Sequence, residues 1–220
     1  MSAMENRPGP TGGLRELKKA RTRQAISDAA IALFLRHGFD QVPVAEIAAA
    51  AEVSKPTLFR YFPTKEDLAL HRFADHEGEF ARVVRDRPAD QAPLTALHRH
   101  CAAGLDARDP VTGLNDTPEV LAYLALLYSA PGLVARLAEY TVRDQEALTG
   151  ALREASSAAP GDLLPRLAAA QIISVRQVVA LANWRKLSDG RSADEVYPEA
   201  VAELDQAFGL LGRGLAAHYG

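Results

Sequence analysis

The segment 44–62 (VAEIAAAAEVSKPTLFRYF) constrains the fold more than any other part of this sequence of 220 residues. Its apolar residues recur at helical spacing in two runs, each too short to form a stable helix alone. Ser54 precedes the second run as an N-cap, and Pro56 lies in the first turn, where a missing amide costs nothing. Two short helices joined by a tight turn therefore need a third helix to pack against.

A longer helix before this segment supplies that partner. The pattern predicts a helix from Leu14 to His37, ended by Gly38, with apolar residues at helical spacing along one face. Three such helices form the helix-turn-helix plan, in which the last helix enters the major groove of DNA. In the predicted core, apolar residues of the segment 44–62 pack against three residues that precede it. The first set is Ile47, Ala48, Ala51, Val53, Leu58 and Phe62, and the second is Leu33, Phe34 and Phe39.

The second short helix leaves a mixed polar face outside this core: Lys55, Pro56, Thr57, Arg60 and Tyr61. Two cations, two small residues and an aromatic hydroxyl suit contacts to phosphates and base edges. Residues 1–72 carry 11 Lys and Arg against 8 Asp and Glu, a balance of +3, whereas residues 73–220 carry 14 against 20, a balance of −6. A basic head on an acidic body indicates phosphate contact at one end, although a solvated basic helix face would have the same composition.

The stretch from Arg23 to Leu68 resembles the DNA-binding region of the tetracycline-repressor (TetR) family. The resemblance covers about a quarter of the chain, with many residue types at fixed spacing. It rests on these groups: Ala29-Ala30 with Leu33-Phe34, Gly38-Phe39, Val44-x-x-Ile47-Ala48, Ala51-x-Val53-Ser54, Thr57-Leu58-Phe59-x-Tyr61-Phe62 and Lys65-Glu66-x-Leu68.

The resemblance implies an all-α homodimer, usually a repressor of transcription, that an effector releases from a palindromic operator in double-stranded DNA. By position, Lys55 and Pro56 fall where the family reads bases. The residues that match the family's contacts to phosphates or neighbouring base edges are Thr57, Phe59, Arg60, Tyr61 and Lys65. The family also makes backbone or minor-groove contacts through basic residues ahead of its first helix, and Arg21 and Arg23 are among the residues here that could make them. We expect Lys55→Ala to relax base preference and Lys65→Ala to weaken all DNA about equally.

Three residues depart from the family pattern. Pro43 stands where Thr or Ser often caps the second helix, so a hydroxyl contact to phosphate is expected to be missing. Pro56 replaces a common Gly, which removes an amide donor near the bases. Phe59 replaces a common Tyr and can pack on a thymine methyl group without bonding a phosphate.

Helical periodicity continues through the rest of the chain, which predicts an all-α fold of about nine helices and no sheet. We expect a disordered tail over 1–13, a helix-turn-helix domain over 14–67 and an effector-binding and dimerisation domain over 68–220. The predicted helices after the DNA-binding segment run from Thr64 to about Arg85 behind a capping box, then over 94–108, 119–129, 132–155, 163–187 and 193–218.

The last two helices are, by the family plan, the dimerisation pair of a four-helix bundle. Their apolar stripes fit that interface, and a core within one chain would account for the same stripes. The stripes are Leu163, Leu167, Ala170, Ile172, Ile173 and Val179 on one helix and Val201, Leu204, Phe208, Leu211 and Leu215 on the other.

A ligand pocket is expected between the middle helices, where aromatic and polar residues mix. The candidate lining residues are Phe80, Tyr123, Tyr128, Tyr140, Arg176, Gln177, Asn183 and Trp184, most of which could equally be ordinary core or surface residues. The polar segment 109–118 is either a lid or an ordinary loop. Residues 118–137 loosely resemble regulators of the family that sense acyl-CoA-like or other lipophilic molecules, so the expected effector is largely apolar.

Other chemistry is not indicated. His71 and His76, or His98 and His100, lack the i,i+4 spacing of a helical metal site, so neither a metal nor a cofactor is expected. The sequence lacks phosphate-loop, nucleophile-elbow and paired-carboxylate motifs, which argues against an enzyme. The single Cys101 and the absence of a long apolar run predict a cytoplasmic protein. Two alternatives remain: an effector-independent DNA-binding regulator, or a carrier or enzyme with a vestigial helix-turn-helix.

Overall fold

The structure, a computed structural model, describes residues 11–74, 76–156 and 158–220, with the side chains of 11–15 and 74 outside the description. These residues form ten α-helices and no strand, which confirms the all-α prediction. They divide into unit 1, which ends at His71, and unit 2, which starts at Arg72. Residues 1–10, most of the predicted tail, lie outside the described residues.

Unit 1 contains α1 (Thr11–His37), α2 (Val44–Ala50), α3 (Lys55–Tyr61) and most of α4 (Lys65–Ala74). The first helix begins three residues before the predicted start at Leu14. The predicted core forms around Ile47, Leu58 and Phe62, which are fully buried, whereas Ala51 and Val53 are half-buried. A buried hydrogen bond from the Ser27 hydroxyl to the Leu68 carbonyl oxygen (2.9 Å) ties α1 to α4.

The turn between α2 and α3 is fixed by its backbone. Glu52 has a φ of 53°, in the left-handed region that favours glycine. The Val53 amide donates to the Ala48 carbonyl oxygen at 2.9 Å, as in a Schellman ending. Ser54 caps α3 by accepting from the Thr57 amide at 3.2 Å, which confirms the predicted N-cap.

The predicted helix from Thr64 to Arg85 is wrong, because the chain breaks into α4 and α5 (Glu79–Asp86). Its predicted start is correct, since Thr64 and Asp67 form reciprocal side-chain bonds to each other's amides. The break occurs at Gly78, whose φ is +70° and whose amide donates to Asp144 Oδ1 at 2.8 Å. This bond to a distant helix replaces a helical bond, so periodicity alone could not predict it.

Unit 2 is a bundle built around α5, α8 (Pro131–Ser156) and α9 (Leu164–Ser188). Helix α8 packs against both α5 and α9. On its other side α9 packs on α10 (Ala193–Tyr219), and α6 (Pro93–Asp106) lies against α10 and α5. The remaining elements are a 3₁₀ turn (Pro110–Thr112) and α7 (Pro118–Ser129), which meets α8 at an angle of 91°.

The segment 109–118 is packed tightly rather than loosely attached. The Asn183 amide donates to the Thr112 carbonyl oxygen at 3.0 Å, and the Asp116 carboxylate accepts from the Ala193 amide at 2.7 Å. Gly113, at a φ of +72°, approaches α9 so closely that a Cβ would lie 2.0 Å from the Ala180 carbonyl oxygen. The segment therefore forms part of the wall of the bundle.

The predicted dimerisation stripes need correction. Ile172 and Ile173 of α9 are buried within the single chain, as are Leu204, Leu211 and Leu215 of α10, so these five residues belong to the core of unit 2. Leu163 and Leu167 of the predicted stripe are exposed, and so are Val178 and Leu210, which the predicted stripes did not include. Helical spacing alone does not say which of two apolar faces a neighbouring helix covers.

By length and composition, α9 is apolar enough to cross a membrane, contrary to the expectation that no such run exists. The buried core helix of an ordinary globular protein passes the same test. Ile172 and Ile173 are buried against the rest of unit 2, and 33% of the apolar window of α9 is buried in this way.

Candidate DNA-binding face and ligand cavities

The outward face of α3 carries four of the predicted DNA contacts. Lys55, Pro56, Phe59 and Arg60 are exposed, and 45% of the surface of Phe59 is accessible, which is unusual for a large apolar side chain. The fully buried Leu58 on the opposite side holds the helix on the core. The face therefore offers two cations and two apolar groups on a fixed support.

The two hydroxyl-bearing residues of α3 are partly engaged in the fold. Thr57 is half-buried, and its hydroxyl lies 2.9 Å from the Ser54 hydroxyl within the N-cap. Tyr61 is half-buried, and the Arg60 guanidinium lies over its ring at 5.6 Å. The N-cap of α2 is Pro43, which provides no side-chain hydrogen bond, as the sequence predicts.

Lys65 has a structural role that the sequence did not reveal. Its ammonium donates to the Phe39 carbonyl oxygen at 2.5 Å and lies 4.6 Å from the centre of the Phe39 ring. The ring of Phe34 lies at 5.5 Å from the same ammonium. Lys65 thus holds the loop after α1 against the start of α4, whatever contact it makes with DNA.

The basic residues of α1 differ in exposure. Arg21 is exposed, as are Lys18 and Lys19. Arg23 is half-buried, with its guanidinium 5.1 Å from the centre of the Phe62 ring. The side chain of Arg15 lies outside the described residues.

Three neighbouring cavities among the described residues of unit 2 share wall residues, and a further, more open one of about 280 Å³ shares His100 with the first of them. The α6 cavity, of about 260 Å³, lies between α5, α6, α9 and α10 and includes Phe80 and Arg176. The α8 cavity, of about 520 Å³, includes Arg176 again with Tyr128, Tyr140 and Gln177. The α7 cavity, of about 110 Å³, includes Tyr123. Val111 of the 3₁₀ turn lines all three.

Two of the predicted ligand residues do not line these cavities. Asn183 is fully buried and holds the 3₁₀ turn through its bond to Thr112. Trp184 packs on Tyr128, with ring centres 4.9 Å apart. Both side chains support the cavity wall, and neither is placed to touch a ligand in the cavities described.

The sequence also missed a charged cluster in the cavity wall. Glu79 at the start of α5 lies 3.0 Å from His76 Nδ1 and 3.3 Å from His100 Nε2. Burial disfavours the charge on Glu79, but the hydrogen bonds from His100 and His76 outweigh burial and hold its pKa well below the usual value. The hydrogen bond to Glu79 raises the pKa of His76, against burial.

A second charged pair lies beside this cluster. Arg176 Nη2 donates to Asp144 Oδ2 at 3.1 Å, and the guanidinium carbon lies 5.0 Å from the centre of the Phe80 ring. Burial raises the pKa of the nearby Cys101 thiol to about 12, so this side chain acts as a small apolar group. Within the described residues, no group of three or more His, Cys, Asp or Glu side chains is arranged to hold a metal ion.

Comparison with known proteins is consistent with this division of the chain. The family described as "Bacterial regulatory proteins, tetR family" matches residues 26–71. The regulator TcmR of Streptomyces glaucescens is 35% identical over 181 residues, covering 79% of this chain and 78% of TcmR. The repressor LfrR of Mycolicibacterium smegmatis is 33% identical over 157 residues, covering 70% of this chain and 72% of LfrR.

Solved structures share the fold at lower identity. NalD, the secondary repressor of the MexAB-OprM multidrug efflux pump in Pseudomonas aeruginosa, has a TM-score of 0.56 at 18% identity, covering 86% of this chain and 97% of NalD. SmeT, solved with triclosan, has a TM-score of 0.54 at 17% identity, covering 91% and 92%. The solved structures share the fold, and the two sequence relatives show that the chain belongs to the TetR family and is a DNA-binding transcriptional regulator.

Proposed function

We propose that the protein is a homodimeric repressor that binds a palindromic operator through α3 and leaves it when a small, largely apolar ligand binds in unit 2. The exposed face of α3 carries the DNA-binding part of this proposal. It combines Lys55 and Arg60 with the apolar Pro56 and Phe59, a set that suits phosphates, base edges and thymine methyl groups.

Each residue on this face has a proposed role. Lys55 and Pro56, at the start of α3, contact base edges in the major groove. Arg60 binds a phosphate, and Phe59 packs on a thymine methyl group without bonding phosphate. Thr57, Tyr61 and Lys65 contribute secondary contacts while they serve the fold, and Arg21 and Arg23 of α1 add contacts to the DNA backbone.

The ligand part of the proposal rests on the cavities of unit 2. The α8 cavity is within the usual size of small-molecule sites, and its walls are largely apolar. Phe80, Tyr123, Tyr128, Tyr140, Arg176 and Gln177 are the predicted ligand residues that line one of the three cavities. SmeT has been solved in complex with triclosan, and LfrR is named as a transcriptional repressor. Both agree with repression that a small ligand relieves.

Dimerisation is proposed through the exposed apolar faces of α9 and α10. Val178 is 67% exposed and Leu210 is 57% exposed, which is unfavourable for a monomer in water. Gly209 and Gly214 have open space where a Cβ would stand, so another helix could approach closely. Two such pairs would form a four-helix bundle about a two-fold axis.

Selection of bound fragments from genomic DNA, followed by a salt titration of the recovered site, tests the proposal. We expect a palindromic site with half-sites about one helical turn apart and an affinity that falls steeply with salt. Failure to enrich any fragment would contradict it.

Two other functions remain as alternatives. An effector-independent regulator would need no ligand space, and the cavities of about 260 and 520 Å³ favour the ligand-responsive proposal. A carrier or enzyme with a vestigial helix-turn-helix would not need the cations on α3. As a bacterial transcriptional regulator, the protein is proposed to act in the cytoplasm, on the nucleoid when bound to its operator.

A further inference from the structure

The carboxylates of the cavity walls differ in their partners. Asp144 is paired with Arg176 at 3.1 Å, and Glu77 with Arg143 at 3.0 Å. Glu79 has no lysine or arginine partner among the described residues. Asp109 also lacks one, and its carboxylate accepts from the Val111 amide at 3.0 Å. Both Glu79 and Asp109 line the α6 cavity.

Among the described residues, the ion-pair partners of Glu79 are two imidazoles. His76 and His100 each contact one of its two oxygens, and both histidines line cavities themselves. Because an imidazole changes charge near neutral pH, the net charge of this wall depends on whether His76, whose pKa the bond to Glu79 raises, carries its proton.

The other charged groups near Glu79 do not replace these imidazoles. Arg176 is engaged with Asp144, and Arg82 on the same helix donates to the Glu77 carbonyl oxygen at 2.8 Å. Arg72 lines only the α7 cavity and lies 5.8 Å from the centre of the Tyr123 ring. Without the histidines, the described residues that line the three cavities or pair with them comprise four carboxylates and three arginines, a balance of −1: Glu77, Glu79, Asp109 and Asp144 against Arg72, Arg176 and Arg143.

Aromatic rings line the same space. Phe73 and Tyr128 line the α8 cavity, whereas the rings of Phe80 in the α6 cavity and Tyr140 in the α8 cavity already lie 5.0 and 4.2 Å from the guanidinium carbons of Arg176 and Arg143. The faces of such rings attract cations, most strongly where water is excluded. A ligand that is both apolar and positively charged would therefore find the Glu79 carboxylate in one wall and the rings of Phe73 and Tyr128 in another.

We propose that the ligand of unit 2 is an apolar organic cation that takes the place of a histidine proton beside Glu79, so that its binding releases a proton to solvent. This inference rests on the proposed function, because it names the class of ligand for the same cavities. An acyl-CoA, with its several phosphate charges, would meet two carboxylates, Glu79 and Asp109, that have no arginine or lysine partner in the part of the chain that the structure describes.

The direction of the pH dependence follows from His76. Because the hydrogen bond to Glu79 raises the pKa of His76, the proton that the ligand must replace is bound below that pKa and lost above it. The affinity for a cation should therefore increase as the pH rises through the pKa of His76. Proton release should be largest below this pH and should disappear above it.

Two ions of the same size and shape but opposite charge test the proposal. Tetraphenylphosphonium and tetraphenylborate are titrated into the full-length protein by calorimetry at a pH below the pKa of His76, in phosphate and in Bis-Tris, whose heats of protonation differ. We expect tetraphenylphosphonium to bind at least about tenfold more tightly than the borate. A difference in its binding heat between the two buffers would report proton release.

Variants assign the effect to the cluster. Glu79→Gln should remove the preference for the cation, whereas Glu154→Gln, which removes an exposed carboxylate of α8 paired with Arg85, should leave it unchanged. The double variant His76→Gln and His100→Gln should still bind tetraphenylphosphonium, without proton release. This double variant keeps the proposal testable if Glu79→Gln does not fold.

Preference for tetraphenylborate, binding of neither ion, or cation binding without proton release would overturn the proposal.

Operator binding in the presence of each ion separates this inference from the proposed function. If the borate binds and releases DNA, the ligand-responsive function stands and the cation inference fails. If the phosphonium binds with proton release and DNA stays bound, the cation inference stands and ligand-induced release fails.

Discussion

The candidate sites of the two units differ in how their residues are distributed along the chain. In unit 1, four exposed candidate contacts lie on one helix of seven residues, Lys55–Tyr61. In unit 2, the charged cavity wall joins residues from a turn and four helices, among them His76, Glu79, His100 and Arg176. A site on one outward helix face can be identified from local sequence, whereas a cavity wall exists only after distant segments have packed.

The largest expected effect concerns the packing that closes the cavities. Gly113→Ala should destabilise the protein by about 3 kcal/mol or more, because the new Cβ would lie 2.0 Å from the Ala180 carbonyl oxygen. Gly190→Ala is the matched control, since Gly190 has a φ of +94° and open space around it, and should cost about 1 kcal/mol. Urea unfolding measures the loss in the free energy of unfolding for both variants. Equal losses would mean that the close approach of the 3₁₀ turn to α9 is unimportant.

The next effect concerns base reading by α3. Lys55→Ala should lose about 1–3 kcal/mol of discrimination at one operator position while leaving the free energy of unfolding unchanged, because Lys55 is exposed. Binding to a set of single-base operator variants measures this loss. Arg85→Ala, which removes an exposed cation from unit 2, is the control. An unchanged base preference in Lys55→Ala would argue against the proposed docking of α3.

Lys65→Ala should affect both DNA binding and stability, unlike Lys55→Ala. Loss of the ammonium bond to the Phe39 carbonyl oxygen and of its ring contacts should lower the free energy of unfolding by about 1–2 kcal/mol. Denaturant unfolding alongside DNA titration separates the two effects. Full stability in Lys65→Ala would show that this contact contributes nothing to the fold.

The smallest expected effect lies in the turn before α3. Glu52→Gly should stabilise the protein by about 1 kcal/mol, because Glu52 occupies the left-handed region at a φ of 53°. Glu52→Ala keeps the backbone strain while removing the same charge, so it should show little of this gain. Thermal unfolding of the pair measures the difference. The same gain in both variants would assign the effect to charge instead of backbone conformation.

The sequence was sufficient to predict the elements of unit 1, since their signals are local. Ser54, Pro56 and the Thr64–Asp67 capping box each act within one helical turn, and the structure contains all three features. The role of Lys65 in the fold was missed because its acceptor, the Phe39 carbonyl oxygen, is 26 residues away.

Unit 2 was less predictable for the same physical reason. The break at Gly78 depends on Asp144, and the bridge from Glu79 to His100 joins two helices. The spacing of His76 and Glu79, three residues apart, was a local signal that could have suggested one half of this bridge. Which apolar face of α9 is buried depends on α8 and α10, so Ile172 was assigned to the interface although it lies in the core.

The salt dependence of operator affinity tests the central claim most directly, namely that α3 is the surface that binds DNA. The double variant Lys55→Gln and Arg60→Gln is compared with Arg85→Gln and Arg191→Gln, which removes two exposed cations from unit 2. We predict that the slope of log affinity against log salt becomes shallower by about 1–2 in the α3 variant and stays unchanged in the control. Equal slopes in the wild type and the α3 variant would contradict the account.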